Sequence, residues 1–532
     1  MKSYDFDPDL QQVFSDLYSA IPLTNWRRWL DISSREEYEC IALKLSGLST
    51  VDDFFDLKTE TTDPQSLSVD VDFLASHTKG PLVVCHTSGT SGGHISDVKW
   101  FHVSDELVKR LWAPGMQAIF EASGLDTQSC AAIFVPSRAR TDGMSHVDGN
   151  EVVRVYSAEF SQRLVLSLIS PRSYALYEYK DAYNLQVIAQ MLSMDRISVV
   201  SAPFLTVLGW ADLGKLRRGL EKSLDTSDSP EVNELKSEIK GMGVKAAARS
   251  IQEQLTEVLS DATIIFSTTG MTETEWDTIR NFLQWEKGAE QFTNLYVGSE
   301  VGPFAASIGE DSSMYVFPLT VPSIEKKGNR NLLSRSTDKV GHLFVSRMHG
   351  LNQVVNIDTG DVVTIESQEG LPIIGDDVLR AGFRLKTEVT ISSEVGVPGG
   401  IPFVGTYFDL DGIEIKNPRL LVACLSERCN LDKKSSVVVR PDVNNWVMVI
   451  PLQDDKCSHA EVQHHLSLCP GGKVLGTAIK EKKLQLKQVK ENPVESKIPR
   501  SELLEKVRKG ELPKGVLKRW PLYVVVPPDG EI

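Results

Sequence analysis

At 532 residues the chain is long enough for two to four domains at roughly 100–200 residues each. Its 41% hydrophobic and 24% charged content is that of a globular protein and excludes collagen-like, fibrous and wholly disordered classes. With 57 basic and 72 acidic residues the formal charge is −15, which disfavours nucleic acid and anionic membrane as partners.

The opening segment, Met1 to Gln12, is acidic and polar, without the apolar stretch of a secretory signal. No apolar run approaches the roughly 20 residues needed to span a bilayer. The seven cysteines are odd in number and scattered, which implies no disulfide framework and fits a reducing compartment. The expected location is cytoplasmic.

Residues 1–80 read as mostly helical, with Val13, Phe14, Leu17 and Tyr18 at three- and four-residue spacing. Pro81 to Cys85 is a short apolar run entering a Ser/Thr/Gly cluster, the pattern of a buried strand that opens into a loop. Strands and helices then alternate. Ala131 to Val135 is a strand stopped by Pro136, Tyr183 to Leu192 a helix, and Ile197 to Ser201 a strand. Glu231 to Leu259 is helical with interruptions at Gly241 and Gly243. Ala262 to Phe266 is a strand closed by the turn Ser267 to Gly270, before a helix from Thr272 to Leu283. This alternation predicts an α/β architecture with substantial parallel sheet.

Beyond about residue 310, short β-rich runs dominate (Leu343 to Ser346, Val354 to Ile357, Val362 to Ile365). Gly399, Gly400 and Pro402 punctuate a boundary. Residues 410–532 carry strands at 436–439, 446–450 and 523–526 and helices at 460–468 and 501–507, a smaller α+β unit. No internal repeat or low-complexity tract is present.

The cluster His86 to Gly93 offers hydroxyls and glycine backbone directly after a strand, a place where a phosphate can be approached closely. It is not a Walker loop, because no Gly-Lys-Ser/Thr follows at the required spacing. A Ser/Thr/Gly cluster by itself is usually only a loop.

Within that cluster, Thr87-Ser88-Gly89-Thr90-Ser91-Gly92 resembles the phosphate loop of adenylate-forming enzymes, the superfamily of acyl-CoA synthetases, peptide-synthetase adenylation domains and luciferases. Its closeness to the N-terminus resembles the phenylacetate–CoA ligase branch. Three further matches follow in the family's order. The strand into Ser267-Thr268-Thr269-Gly270 is similar to the glycine-rich turn beside the adenine. Asn294 to Glu300 resembles Tyr-Gly-x-Thr-Glu, with Tyr296 four residues before Glu300, Ser299 beside it, and Val297 in the usual Gly place. Ile357-Asp358-Thr359-Gly360-Asp361 resembles Tyr-x-Thr-Gly-Asp. Four ordered matches are far more specific than any one.

The resemblance implies a large multi-sheet domain over 1–407 and a smaller mobile α+β lid over 408–532. It implies ATP and Mg²⁺ as cofactors, with a small carboxylic acid as substrate. It also implies transfer of the activated acid to a thiol, either coenzyme A or a carrier protein's pantetheine, or to an amine in some relatives. Glu300 would hold Mg²⁺ and, with Thr87, serve catalysis. Ser88, Gly89, Thr90, Ser91 and Gly92 would cradle phosphate, and Thr269, Gly270, Tyr296 and Ser299 the adenine side. Asp361 would accept the ribose hydroxyls. These roles are chemically coherent: Mg²⁺ prefers oxygen ligands and neutralises two approaching anions. Each residue also has a plain structural alternative, namely a capping surface Glu, a core Tyr and a turn Asp.

The sequence departs from the family at three places. Gly93 to Asp97 intervenes before the first lysine, Lys99, on the expected next strand. Thr406 stands where a ribose-contacting Arg is usual, and Asp409 is the hinge candidate. After Leu522 to Gly530 no lysine follows in this sequence, and Lys514 and Lys518 precede that strand as solvated helix or loop charges. Slow adenylation, a substitute lysine, or a catalytically reduced nucleotide-binding protein all remain open from the sequence. Cys457, His459, His464, His465 and Cys469 are possible metal ligands, but a helix over 460–468 turns His464 and His465 to different faces, so none is expected to bind metal. Arg138 and Arg140 after Pro136 read as a surface pair.

Overall fold

The computed structural model describes residues 10–19, 69–77, 81–86, 100–135, 143–224, 230–266, 272–298, 302–306, 314–316, 320–326, 328–332, 340–347, 354–367, 371–372, 378–379, 384–387, 407–410, 413–416, 418–429, 431, 437–442, 445–452, 457–469, 471–490, 516–519 and 522–525. The alternation read from the sequence is realised as a mixed α/β structure with several sheets.

The first sheet is small. Strand β1 (Leu82–His86) pairs antiparallel with β2 (Trp100–His102) and parallel with β5 (Asn150–Tyr156), and β5 takes β4 (Gly143–Val147) on its far edge. All five residues of β1 are buried, as a continuous apolar run between neighbours requires.

The second sheet has twelve strands. Its parallel part runs β6-β3-β7-β8-β9, where β3 is Cys130–Val135, β6 Ser173–Glu178, β7 Val199–Ser201, β8 Thr263–Phe266 and β9 Phe292–Gly298. Both faces are covered. Cys130, Ala132, Phe134, Val200, Ile264 and Phe266 join one core with the helices Leu185–Leu192, Phe204–Ala211 and Val244–Val258. Ala131, Ile133, Val135, Val199, Ile265 and Leu295 join the opposite core with the helices Ala113–Ala122 and Ser157–Ile169. The two sets alternate residue by residue because successive strand side chains point to opposite faces.

From β9 the sheet turns antiparallel through β10 (Gly302–Ala306) and β11 (Met314–Val316). The far edge contains β12 (Thr320–Lys326), β13 (Asn329–Leu332), β14 (Val340–Arg347) and the long β15 (Val354–Ser367). A short hairpin, β16 (Leu371–Pro372) with β17 (Val378–Leu379), precedes β18 (Arg384–Thr387), which bridges β15 and β11.

Further along, β19 (Tyr407–Leu410) and β20 (Ile413–Lys416) form a hairpin. Then β21 (Val437–Asp442), β22 (Asn445–Pro451), β23 (Leu484–Val489), β24 (Val516–Arg519) and β25 (Leu522–Val525) form a five-stranded sheet ordered β23-β22-β21-β25-β24. Residues from Ile413 to Leu484 share one hydrophobic core with the helices Pro418–Cys429, His459–Leu468 and Gly472–Lys480.

Several boundaries shift for local reasons. The break in the 231–259 stretch falls at Gly243 alone, whose φ of +81° suits glycine, while Gly241 stays inside the helix Pro230–Met242. The helix expected from Thr272 starts at Glu273, because Thr272 is its N-cap and forms a capping box with Glu275. The two strands expected at 354–357 and 362–365 are one strand, β15. Lys518, expected in a helix or loop, lies in β24. Gly399, Gly400, Pro402, Arg138, Arg140, Lys514 and the helix expected over 501–507 lie outside the described residues. Among the described residues, no helix is long and apolar enough to cross a membrane.

Candidate active site

Three of the four sequence motifs begin in, or follow in the chain directly after, the described strands β1, β8 and β9. Thr87 to Gly92, with Lys99, lie outside the described residues, but their stems do not. His86 ends β1 and pairs antiparallel with Trp100, which starts β2. His86 is fully buried, with its ring 4.9 Å from Trp100 and 5.5 Å from Tyr156. This aromatic base for the segment had no signal beyond the spacing of three rings along separate strands.

The strands leading to the second and third motifs are neighbours. Strands β8 and β9 run parallel with Phe266 opposite Asn294. Ser267 to Met271 themselves lie outside the described residues. Just beyond, the Thr272 capping box and a buried ion pair fix the helix Glu273–Leu283: Arg280 Nε donates to Glu290 at 2.6 Å, both side chains 5% exposed.

Tyr296 is buried, with 5% of its surface exposed, and pairs with Ala305 of β10. Alternation places it on the face of Phe292, which stacks on Phe266 at 5.5 Å, and opposite the face of Leu295. Ser299 and Glu300 lie outside the described residues, between the paired glycines Gly298 and Gly302 that join β9 to β10. Gly302 has φ +78°, and a side chain there would run into the Trp112 indole. Trp112 is itself fully buried in a π-helical turn, Val108–Trp112, and packs edge-on to Phe160 at 5.1 Å. Glycine at 302 is thus a packing requirement that the sequence does not announce.

The fourth motif is at a bulge. On β14, Phe344 faces Asp358 and His342 faces Val362, so Leu343 alone stands opposite Thr359, Gly360 and Asp361. Asp361 therefore leaves the regular ladder within a strand, where the sequence suggested a turn, and bulges commonly re-aim residues beside sites. A second irregularity at Asn356, φ +51°, is pinned by Ser346: the Asn356 N–H donates to Ser346 Oγ at 2.8 Å. Strands β18, β11 and β10 separate β15 from β9, so the ladder alone does not bring Asp361 against Tyr296. Asp409 lies in β19, and Thr406 is outside the described residues.

No family model and no curated protein matches the sequence. Solved structures are similar in shape. A 2-hydroxyisobutyryl-CoA ligase in complex with its 2-HIB-AMP is 10% identical, with 94% of this chain and 92% of that chain covered and a TM-score of 0.44. An amide bond synthetase from Marinactinospora thermotolerans is 12% identical over 74% of this chain and 64% of its own, with a TM-score of 0.37. A fatty acyl-adenylate ligase structure (E. coli and L. pneumophila) is 10% identical over 79% and 69%, with a TM-score of 0.41.

Proposed function

We propose that this chain activates a carboxylic acid with ATP, forming an acyl-adenylate and releasing pyrophosphate, and then passes the acyl group to a thiol, coenzyme A or a carrier protein's pantetheine. The observation that supports this reading is the parallel pairing of β8 with β9, which makes the strand ahead of the second motif a neighbour of the strand that bears Tyr296.

In this reading the Tyr296 side of β9 and the turn with Thr269 and Gly270 receive the adenine. Thr87, Ser88, Gly89, Thr90, Ser91 and Gly92 receive the phosphates from the segment that follows His86. Asp361, lifted from the ladder by its bulge, accepts the ribose hydroxyls, and Ser299 flanks the site. Glu300 supplies a carboxylate, the hard oxygen donor that suits Mg²⁺, whose charge offsets that of the phosphates. Catalysis is then mainly positioning and charge neutralisation as carboxylate meets the α-phosphorus. The units 1–407 and 408–532 would turn relative to one another about Asp409 between the two steps.

Carboxylate-dependent exchange of pyrophosphate into ATP, measured over a broad panel of acids, tests the reading. Exchange with at least one acid is expected, and Glu300→Ala should abolish it. Binding of ATP without exchange for any acid would refute adenylation, and an unchanged rate in Glu300→Ala would refute the Mg²⁺ assignment.

A further inference from the structure

The core of residues 413–484 contains a group of thiols and one imidazole that the adenylation chemistry does not use. Cys429 closes the helix Pro418–Cys429. Cys457 stands immediately before Ser458, the N-cap of the helix His459–Leu468, and His465 lies in that helix's last turn. The two sulfurs and a ring nitrogen of His465 all lie within 4.8 Å of one another. Both cysteines are buried and unbridged. His465 Nδ1 is buried and lacks a hydrogen-bond partner among the described residues, an arrangement that costs free energy unless something else meets the nitrogen.

We propose that Cys429, Cys457 and His465 bind a zinc ion, with water in the fourth position. Thiolate sulfur and imidazole nitrogen are the donors that zinc takes, at about 2.3 and 2.0–2.1 Å, which sets ligand atoms about 3.5–3.8 Å apart around a tetrahedron. Burial, and then a hydrogen bond to Cys457, push the Cys429 thiol up to about 12. Binding a divalent cation releases the thiol protons to solvent and leaves the sulfurs as thiolates. The ion would join the end of one helix to both ends of another, staking the small core at three points.

Neighbouring groups are assigned elsewhere. Cys424 accepts a hydrogen bond from Cys469, which with Arg428 lowers it to about 7. The Cys469 thiol also lies 3.2 Å from the carbonyl of His465. His464 and His459 are exposed. The sequence offered Cys457 and His465 but not their partner, because Cys429 lies on a different helix.

The test uses the full-length protein, purified with reductant, loaded with zinc and dialysed, with bound metal read by mass spectrometry. About one zinc per chain is expected, falling below roughly a tenth in Cys429→Ser, Cys457→Ser and His465→Ala. His464→Ala and Cys469→Ser should keep it. Because a ligand variant could fail to fold, the wild-type protein is also titrated with cobalt. Thiolate-to-cobalt charge transfer and intense tetrahedral d–d bands are expected, and zinc should shield Cys429 and Cys457 from alkylation. Wild-type protein that takes up neither metal, zinc retained by Cys429→Ser, zinc lost by Cys469→Ser, or a Cys429–Cys457 disulfide formed in the presence of zinc would each overturn the proposal. None of these readouts depends on adenylation.

Discussion

Gly302→Ala is the perturbation whose cost can be worked most directly from the structure. Two penalties combine. A left-handed φ of +78° strains any residue with a Cβ by roughly 1–2 kcal/mol. The new methyl would also lie 2.5 Å from Cε2 and 2.8 Å from Cζ2 of Trp112, closer still to its Nε1. Trp112 is fully buried and wedged against Phe160, so it cannot swing away, and overpacking of this kind costs about 1–3 kcal/mol. The expected total is about 2–5 kcal/mol. Gly288→Ala isolates the first penalty, because Gly288 has φ +89° and an added methyl there would meet nothing within 4 Å. Denaturant unfolding of wild type, Gly302→Ala, Trp112→Phe and the double variant gives the coupling between 302 and 112. If Gly302→Ala costs no more than Gly288→Ala, the packing argument fails. Since Gly302 closes the hairpin that carries Glu300, pyrophosphate exchange should also fall in Gly302→Ala and not in Gly288→Ala.

Three further outcomes are expected. Arg163 and Glu159 form a buried ion pair at 2.8 Å with side chains 0% and 2% exposed, so Glu159→Ala should destabilise by roughly 3–5 kcal/mol, while Arg163→Met with Glu159→Leu should recover most of that in chemical denaturation. Glu290→Gln should loosen the helix Glu273–Leu283 by weakening its tie to Arg280, seen as faster amide exchange along that helix and not along Ser157–Ile169. Burial holds His102 below its ordinary value of 6.5, so the unfolded chain takes up a proton first on acidification. Stability should therefore drop as pH falls from about 6.5 through the folded value, and His102→Gln should flatten that drop in pH-resolved thermal unfolding. A pH profile unaltered by the substitution would discount the histidine.

Much of the α/β framework was legible because its determinants are local. Ala131 to Val135 alternates between two apolar cores and is stopped by proline, and Thr272 with Glu275 spells out a capping box. The glycine break at 243 was legible for the same reason. Features that depend on distant residues were not. Nothing near Gly302 in the chain points to Trp112, and nothing near Cys457 points to Cys429. The β15 bulge requires the register against β14, which no single strand records. For the candidate site, motif order was readable, but adjacency was not: only the parallel pairing of β8 with β9 shows that the strands leading to two motifs some thirty residues apart are neighbours.

The two irregularities of β15 differ in parity. At Asn356 the strand carries one extra residue, which would reverse inward and outward faces and so has to be absorbed by a left-handed backbone. At Thr359 to Asp361 it carries two, a whole period of the pleat, and the faces on either side stay in phase. Removing two residues there would therefore keep the faces on either side in the same phase against β14.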